Sequence, residues 1–405
     1  MIGILIAAIF IILAILLIKK TQNKHLVASL LIGFGITAAS FIALVLFLFL
    51  TQKVMMILLL IFYVSIIVFL VLWNKIRVKK VYLVLLIPLL CILSGFAIYK
   101  YQVYIYNIPI LDDQNFYLGQ YIPFNDNNKL AELDEESKLK ISNNLPILDG
   151  ATALYPVYAA FAQAVYPKDH YGWYGGAVQC NRTSKAYENL LNGTVDIIFC
   201  AQPSAEQQKQ FIEKGVDLKL IPIGKEAFVF FVNKKNSINN LSIEEIKGIY
   251  SGKIKNWKQL NGKSEKIRAY QRPANSGSQT MLEKAMGSTP DHITIINAPR
   301  ENVQANMGGM INQVAAYRNF SNAIGYSFLF FTTEMVKNDH IKLLSIDGIY
   351  PSEETIKNNT YPFCNNFYAI YADKKEKNAN IDTFIEWMLS DQGQKLIKKT
   401  GYVPN

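Results

Sequence analysis

Residues 145–156 read LPILDGATALYP and lead into a predicted helix over 154–165. This stretch places Gly150 and Thr152 just before the helix, where free backbone N–H groups and the positive end of the helix dipole attract anions. A hydroxyl residue at a helix start is also an ordinary N-cap. The stretch alone therefore predicts a helix start, with an anion site as the second interpretation.

Two later stretches repeat this composition. Residues 181–184, NRTS, open a second predicted helix, and residues 271–280, QRPANSGSQT, precede a third. Each contains an arginine, and the Ser-Gly-Ser of residues 276–278 lets the backbone approach a ligand closely. Any one of the three stretches could be a simple cap, but three together favour a site for an oxyanion.

The chain around these helix starts alternates between strand-like and helix-like segments, which is typical of an α/β domain. Residues 145–405 number about 260, which is large for a single core and natural for two lobes. Strands are predicted over 195–199, 218–221, 227–232, 324–328 and 367–371. Helices are predicted over 154–165, 184–191, 243–250, 279–286, 309–317 and 381–400.

The first hundred residues have a different composition. They hold nine lysines and arginines and no acidic residue, in a chain with a net charge of +10. Four apolar runs without a charged residue cover 1–18, 26–50, 54–73 and 81–99. About 20 helical residues cross the hydrocarbon core of a bilayer, so each run predicts a transmembrane helix. Most of the excess charge thus flanks membrane segments, which argues against nucleic acid as a partner.

The basic loops at 19–25 and 74–80 orient these four helices. Placing both loops in the cytoplasm puts the N-terminus and everything after residue 99 outside the cell. The runs contain no acidic, basic or histidine side chain that could serve as an ion site, so they predict a membrane-integral anchor of a multi-pass cell-membrane protein. Residues 101–144 are polar and Asn-rich, and they predict a tether with one short helix over 129–140.

Six motifs of residues 145–405 occur in the order found in the phosphate-binding protein of phosphate ABC transporters. They are LPILDGATALYP at 145–156, GTVD at 193–196, IYSGKIKNW at 249–257, Arg272 with SGS at 276–278, AIGY at 323–326, and DQGQ with GYVP between 391 and 404. The chain resembles this family over residues 145–405. The resemblance implies a type 2 periplasmic-binding-protein fold, with lobe 1 formed by about 145–223 and 362–405 and lobe 2 by about 224–361.

The resemblance also implies a function and a set of site residues. A small oxyanion, most simply phosphate, would bind between the lobes for delivery to an ABC permease. Thr152 and the N–H groups of Ala153 and Leu154 would form one binding loop, and Ser184 would belong to a second. The opposite lobe would contribute Arg272, Ser276, Gly277 and Ser278, with the arginine making a charge-assisted contact.

One position departs from the family pattern. Phosphate binders carry an aspartate after the strand that follows GTVD, where it accepts the proton of a protonated phosphate, but this chain has Ala201 there. Either Gln202, Asp149 or Glu226 replaces that acceptor, or the ligand is not phosphate. The departure keeps a second function open, namely a ligand-sensing receptor or structural surface protein that signals through its membrane helices.

Other chemistries have little support in the sequence. The histidines at 25, 170, 292 and 340 are scattered, and no Cys/His pattern predicts a metal site or a cofactor. No nucleophile elbow, nucleotide-binding loop or paired-acid motif stands out, so the chain is predicted not to be an enzyme. Cys180, Cys200 and Cys364 allow at most one disulfide, and either a Cys180–Cys200 bridge or three reduced thiols fit the sequence.

Overall fold

The computed structural model describes residues 100–101, 103–105, 107, 110–111, 118–272, 274–287, 295–296, 317–318, 320–337, 339–374 and 376–405. The chain divides into two units, Met1–Ile108 and Pro109–Asn405. The four predicted membrane helices lie outside the described residues, as does most of the helix predicted over 309–317. Within the described residues, no helix has the length and apolar character needed to cross a bilayer.

The second unit alternates strands and helices as the sequence predicts. The strands are β1 (Ile110–Leu111), β2 (Leu148–Gly150), β3 (Ile197–Cys200), β4 (Asp217–Asn233), β5 (Asn240–Leu241), β6 (Arg268–Ala269), β7 (Tyr317–Arg318), β8 (Ala323–Phe328), β9 (Ile341–Leu343), β10 (Ser345–Ile346), β11 (Cys364–Asp373) and β12 (Val403–Pro404). The α-helices are α1 (Tyr155–Val165), α2 (Arg182–Asn192), α3 (Ala205–Glu213), α4 (Ile243–Tyr250), α5 (Gly277–Ala285), α6 (Glu353–Lys357), α7 (Ile381–Leu389) and α8 (Asp391–Thr400). The predicted α/β class is confirmed.

Strand β4 connects two parts of one mixed sheet. The strand order is β2-β3-β11-β4-β8-β6, and β9 and β12 also pair with β4. The first part of β4 pairs antiparallel with β11 up to Ala227, and its second part pairs with β8 from Phe228 onward. The chain therefore crosses from one half of the sheet to the other near Glu226.

Each half of the sheet has its own hydrophobic core, and these two cores define lobe 1 and lobe 2 below. The lobe 1 core includes Phe161, Phe199 and Phe384 from α1, β3 and α7. The lobe 2 core includes Phe230 and Tyr250 from β4 and α4. Two separate cores joined by a crossing strand allow the lobes to move relative to each other.

The segment before lobe 1 differs from the prediction. Residues 129–140 contain no helix, and the segment 118–144 packs on lobe 1 with Tyr121, Leu130 and Ile141 buried. Asp134 of this segment pairs with Lys395 (2.7 Å) and with Lys399, both of which belong to α8. The described part of the predicted tether is thus attached to the folded domain.

Candidate functional site

The first candidate loop follows β2 and turns into α1. Strand β2 runs parallel to β3, and a Cβ atom on Gly150 would lie 2.5 Å from the carbonyl oxygen of Phe199. Only glycine allows this approach, and it directs the chain into a single 3-10 turn over Thr152–Leu154. Thr152 and Ala153 are half-buried there, and the Tyr402 hydroxyl donates to the carbonyl oxygen of Ala153.

The second candidate loop is the start of α2, which lies two residues before the predicted start at residue 184. Helix α2 begins at Arg182, whose φ of 67° is unusual for a residue other than glycine. Thr183 is only 7% exposed, whereas the predicted Ser184 is exposed. Of the two hydroxyl residues in this loop, Thr183 is therefore the one that faces inward.

The third candidate loop precedes α5 in lobe 2. The backbone N–H of Arg272 donates to the Tyr326 hydroxyl (2.9 Å) and to Oε1 of Gln279 (3.1 Å). Ser276 is the N-cap of α5, and its Oγ accepts from the N–H of Gln279 (3.3 Å). The predicted Gly277 and Ser278 are buried in the first turn of this helix. Their N–H groups therefore belong to the donors that a helix start leaves without intrahelical partners.

The second and third loops meet between the lobes. A Cβ atom on Gly277 would lie 3.1 Å from Oγ1 of Thr183. The N-termini of α2 and α5 therefore approach each other, and the positive ends of both helix dipoles face the same region. Together these two loops offer the N-terminal ends of α2 and α5, the hydroxyls of Thr183 and Ser276, and the side chain of Arg272. These donors are suited to an anion.

Two buried thiols lie behind the hydroxyls of the first and second loops. The Cys180 thiol donates to the carbonyl oxygen of Gly150 at 4.0 Å, and Cys200 is the last residue of β3. Burial raises the pKa of Cys180 to about 11 and that of Cys200 well above its usual value. Cys180, Cys200 and Cys364 are all free, so the structure contains reduced thiols and no Cys180–Cys200 bridge.

Two of the three candidate replacements for the missing aspartate are occupied by the protein. Both carboxylate oxygens of Asp149 are held by donors within 3.0 Å, from Asn181, Asn189 and Gly150. Gln202 is exposed, its amide nitrogen donates to the Tyr368 hydroxyl (2.9 Å), and its Oε1 accepts from Lys284. Both side chains are thus hydrogen-bonded to other groups of the protein.

Glu226, the third candidate, is buried where β4 crosses between the lobes. Its Oε1 accepts from the N–H of Phe330 (3.1 Å), and Oε2 is buried without a hydrogen-bond partner among the described residues. Burial raises the pKa of Glu226 to about 8, so the carboxyl is mostly protonated at neutral pH. It lies next to Tyr402, whose hydroxyl contacts the first loop.

Metal binding has no support from the geometry. Among the described residues, no three His, Cys, Asp or Glu side chains lie close enough together to hold a metal ion. The donors described above suit an anionic ligand and not a cation. Two α/β lobes, a crossing strand and facing donor loops define the class of two-lobed ligand-binding proteins.

Comparison with known proteins places the chain within that class. Residues 147–392, more than half of the chain, match the family model of the PBP superfamily domain, and the chain belongs to this family. A phosphate-binding protein PstS of Staphylococcus aureus is 25% identical over 261 residues, which cover 63% of this chain and 76% of the relative. The relatives are binding proteins and transport receptors, so the prediction that the chain is not an enzyme is confirmed.

Solved structures give similar matches. A Clostridium perfringens protein assigned as a phosphate ABC transporter substrate-binding protein, with phosphate bound, is 22% identical with a TM-score of 0.48. It matches over 66% of this chain and 99% of its own. An ABC-type phosphate transport receptor of Vibrio cholerae is 20% identical with a TM-score of 0.44, over 66% of this chain and 100% of its own.

Proposed function

We propose that the chain is a membrane-anchored extracytoplasmic protein that binds phosphate between its two lobes and delivers it to an ABC permease. The approach of Thr183 to Gly277 carries this proposal, because it brings the donor loops of the two lobes together. The names of the Staphylococcus aureus relatives support phosphate as the ligand.

The donors are suited to an oxyanion because they are numerous and mostly neutral. An anion that leaves water must exchange its hydration shell for fixed donors. Thr152, Thr183 and Ser276 would offer hydroxyls, the first turn of α5 would offer N–H groups, and Arg272 would supply one positive charge. The site therefore needs no large positive surface, in agreement with the near balance of charges after residue 100.

Ligand binding would act through the crossing strand. The lobes would rock about β4 near Glu226 and about the return segment near Phe363. A ligand stabilises the closed arrangement only by the free energy gained from touching both lobes at once. Residues 1–99 would hold the protein in the cell membrane, with the N-terminus and the binding domain outside.

A direct binding measurement tests the ligand. The 405-residue chain should bind radiolabelled phosphate saturably in equilibrium dialysis, and unlabelled phosphate should displace it. Absence of saturable binding would exclude phosphate as the ligand.

The anchor is tested separately by protease treatment of intact cells. Cleavage should reach the binding domain from outside, and full protection of that domain would contradict the proposed orientation.

A further inference from the structure

The N-terminus of α3 carries a capping box with donors left over. Ser204 is the N-cap, its Oγ accepts from the N–H of Gln207 (3.1 Å), and Oε1 of Gln207 accepts from the N–H of Ser204 (2.8 Å). These two bonds complete an ordinary capping box. The Ser204 hydroxyl hydrogen and the Gln207 amide NH₂ stay available, although both side chains are only 4% exposed.

Both remaining donors bind Asn275. The Ser204 hydroxyl donates to Oδ1 of Asn275 (2.7 Å), and Nε2 of Gln207 donates to its carbonyl oxygen (3.3 Å). Helix α3 packs with lobe 1 strand β3 through Phe211, whereas the helix that follows Asn275 packs in the lobe 2 core through Leu282. The two hydrogen bonds therefore cross from one lobe to the other.

Asn275 directly precedes the candidate anion-binding turn. Its φ is 61°, in the left-handed region that residues other than glycine adopt rarely, although asparagine does so more easily than most. This conformation turns the chain from Arg272 into the N-terminus of α5, where Ser276 and Gly277 follow. Whatever holds Asn275 consequently sets the direction of the donors in the third loop.

We propose that Ser204, Gln207 and Asn275 form an interlobe clasp that positions the third loop for its ligand and sets how long the lobes stay closed. The proposal rests on the proposed function, because it assigns the clasp to the same cleft. The clasp bonds form only when the lobes are together. They therefore stabilise the closed state, as the ligand contacts do, and do not stabilise the open state. Asn275 and Gln207 are positioning residues here and need not touch the ligand.

The substitution Gln207→Glu isolates the clasp from the cap. Glutamate keeps the acceptor that the Ser204 N–H requires, so the capping box is preserved, but it lacks the NH₂ donor to Asn275. Gln208→Glu is the matched control, since it adds the same charge at an exposed position of the same helix. Asn275→Gly is a second variant that keeps the left-handed backbone and removes Oδ1.

Two readouts on the 405-residue chain decide the question. Loss of one such hydrogen bond should speed phosphate dissociation by about three- to tenfold and leave association within about twofold. Hydrogen–deuterium exchange without ligand should rise in residues 275–282 of lobe 2 for Gln207→Glu, but not for Gln208→Glu. A purely structural role in α3 would raise exchange in α3 and not across the cleft.

The outcomes separate the clasp from the proposed ligand. Unchanged dissociation in both Gln207→Glu and Asn275→Gly, with normal phosphate binding by the parent chain, overturns the clasp. If the parent chain does not bind phosphate, the proposed function fails and the exchange measurement alone decides the clasp. Unchanged exchange in residues 275–282 would then overturn it.

Discussion

Oγ1 of Thr183 lies 3.1 Å from the position that a Cβ atom on Gly277 would take, so a methyl group there would require the two helix starts to separate by a few tenths of an ångström. The substitution Gly277→Ala should weaken phosphate binding about tenfold by pushing the loops apart. The free energy of unfolding should fall by less than the binding free energy does, because alanine in a helix is favoured over glycine by up to about 1 kcal/mol. Titration with phosphate and urea unfolding measure the two effects.

Gly172→Ala is the control for this substitution. Gly172 has no neighbouring atom within 4 Å of a Cβ position, so alanine there should change neither affinity nor stability. Equal affinity of Gly277→Ala and the parent chain would mean that the ligand binds away from this contact.

Replacing Thr183 tests which hydroxyl of the second loop contacts the ligand. Thr183→Val keeps the side-chain shape and removes the hydroxyl, so it should lower phosphate affinity about tenfold if that hydroxyl contacts the ligand. Ser184→Ala, one residue further on, should leave affinity unchanged because Ser184 is exposed. The reverse pattern in a calorimetric titration would show that Ser184, as predicted from the sequence, is the residue that contacts the ligand.

The second loop shows how far the sequence predicts the site. The pattern of the three loops could be predicted, because hydroxyl residues and glycine before a helix leave a clear signal. The inward residue of the second loop could not, because it depends on where α2 begins, and Arg182 takes a left-handed φ that the sequence does not announce. Here the predicted helix start at residue 184 lies two residues after the observed start at Arg182, and the buried hydroxyl of Thr183 falls between them.

The fold, like the site, could be predicted from the sequence only in part. The α/β alternation and most helices followed from apolar periodicity, but the sequence did not predict the short strand β2 or helix α3. Strand β4 is 17 residues long and was predicted as two separate runs, because its crossing between lobes interrupts the apolar pattern with Gly224 and Glu226. Tertiary contacts decide such elements, and these are not visible in local sequence.

Arg272 is expected to contribute geometry as well as charge. Arg272→Lys keeps the positive charge but loses the planar pair of donors that matches an oxyanion, so phosphate affinity should fall about tenfold. Unchanged phosphate affinity of Arg272→Lys, measured by equilibrium dialysis, would show that only the positive charge matters and not the planar pair of donors.

Ala201 should influence which oxyanions bind. A carboxylate at this position would accept a proton from hydrogen phosphate and repel sulfate, which carries no proton at neutral pH. Ala201→Asp should therefore reduce sulfate binding relative to phosphate by about tenfold or more. Ala205→Asp, at an exposed position nearby, is the charge control. Competition of labelled phosphate by sulfate measures the ratio, and an unchanged ratio would place Ala201 outside the ligand's reach.

The buried carboxyl of Glu226, where β4 crosses between the lobes, should make the stability of the domain depend on pH. Its pKa is about 8 in the folded domain and 4.5 as a free side chain. The unfolded chain therefore releases this proton first, and the free energy of unfolding should fall as pH rises from 4.5 to 8. The contribution is on the order of 4 kcal/mol over that range, since one pKa unit corresponds to about 1.4 kcal/mol. Tyr402 and Cys364 interact electrostatically with this carboxyl, and burial raises the pKa of both, so neither should ionise in this range.

The substitution Glu226→Gln should remove most of this dependence. Glutamine keeps an acceptor for the N–H of Phe330 and resembles the protonated carboxyl, so the variant should match the parent chain at pH 5 and be more stable at pH 8. Glu376→Gln, at an exposed glutamate, should leave the pH profile unchanged. Urea midpoints followed by tryptophan fluorescence at both pH values give the comparison. Parallel profiles of Glu226→Gln and the parent chain would mean that Glu226 is ionised in the folded domain, and that a partner for its second oxygen exists.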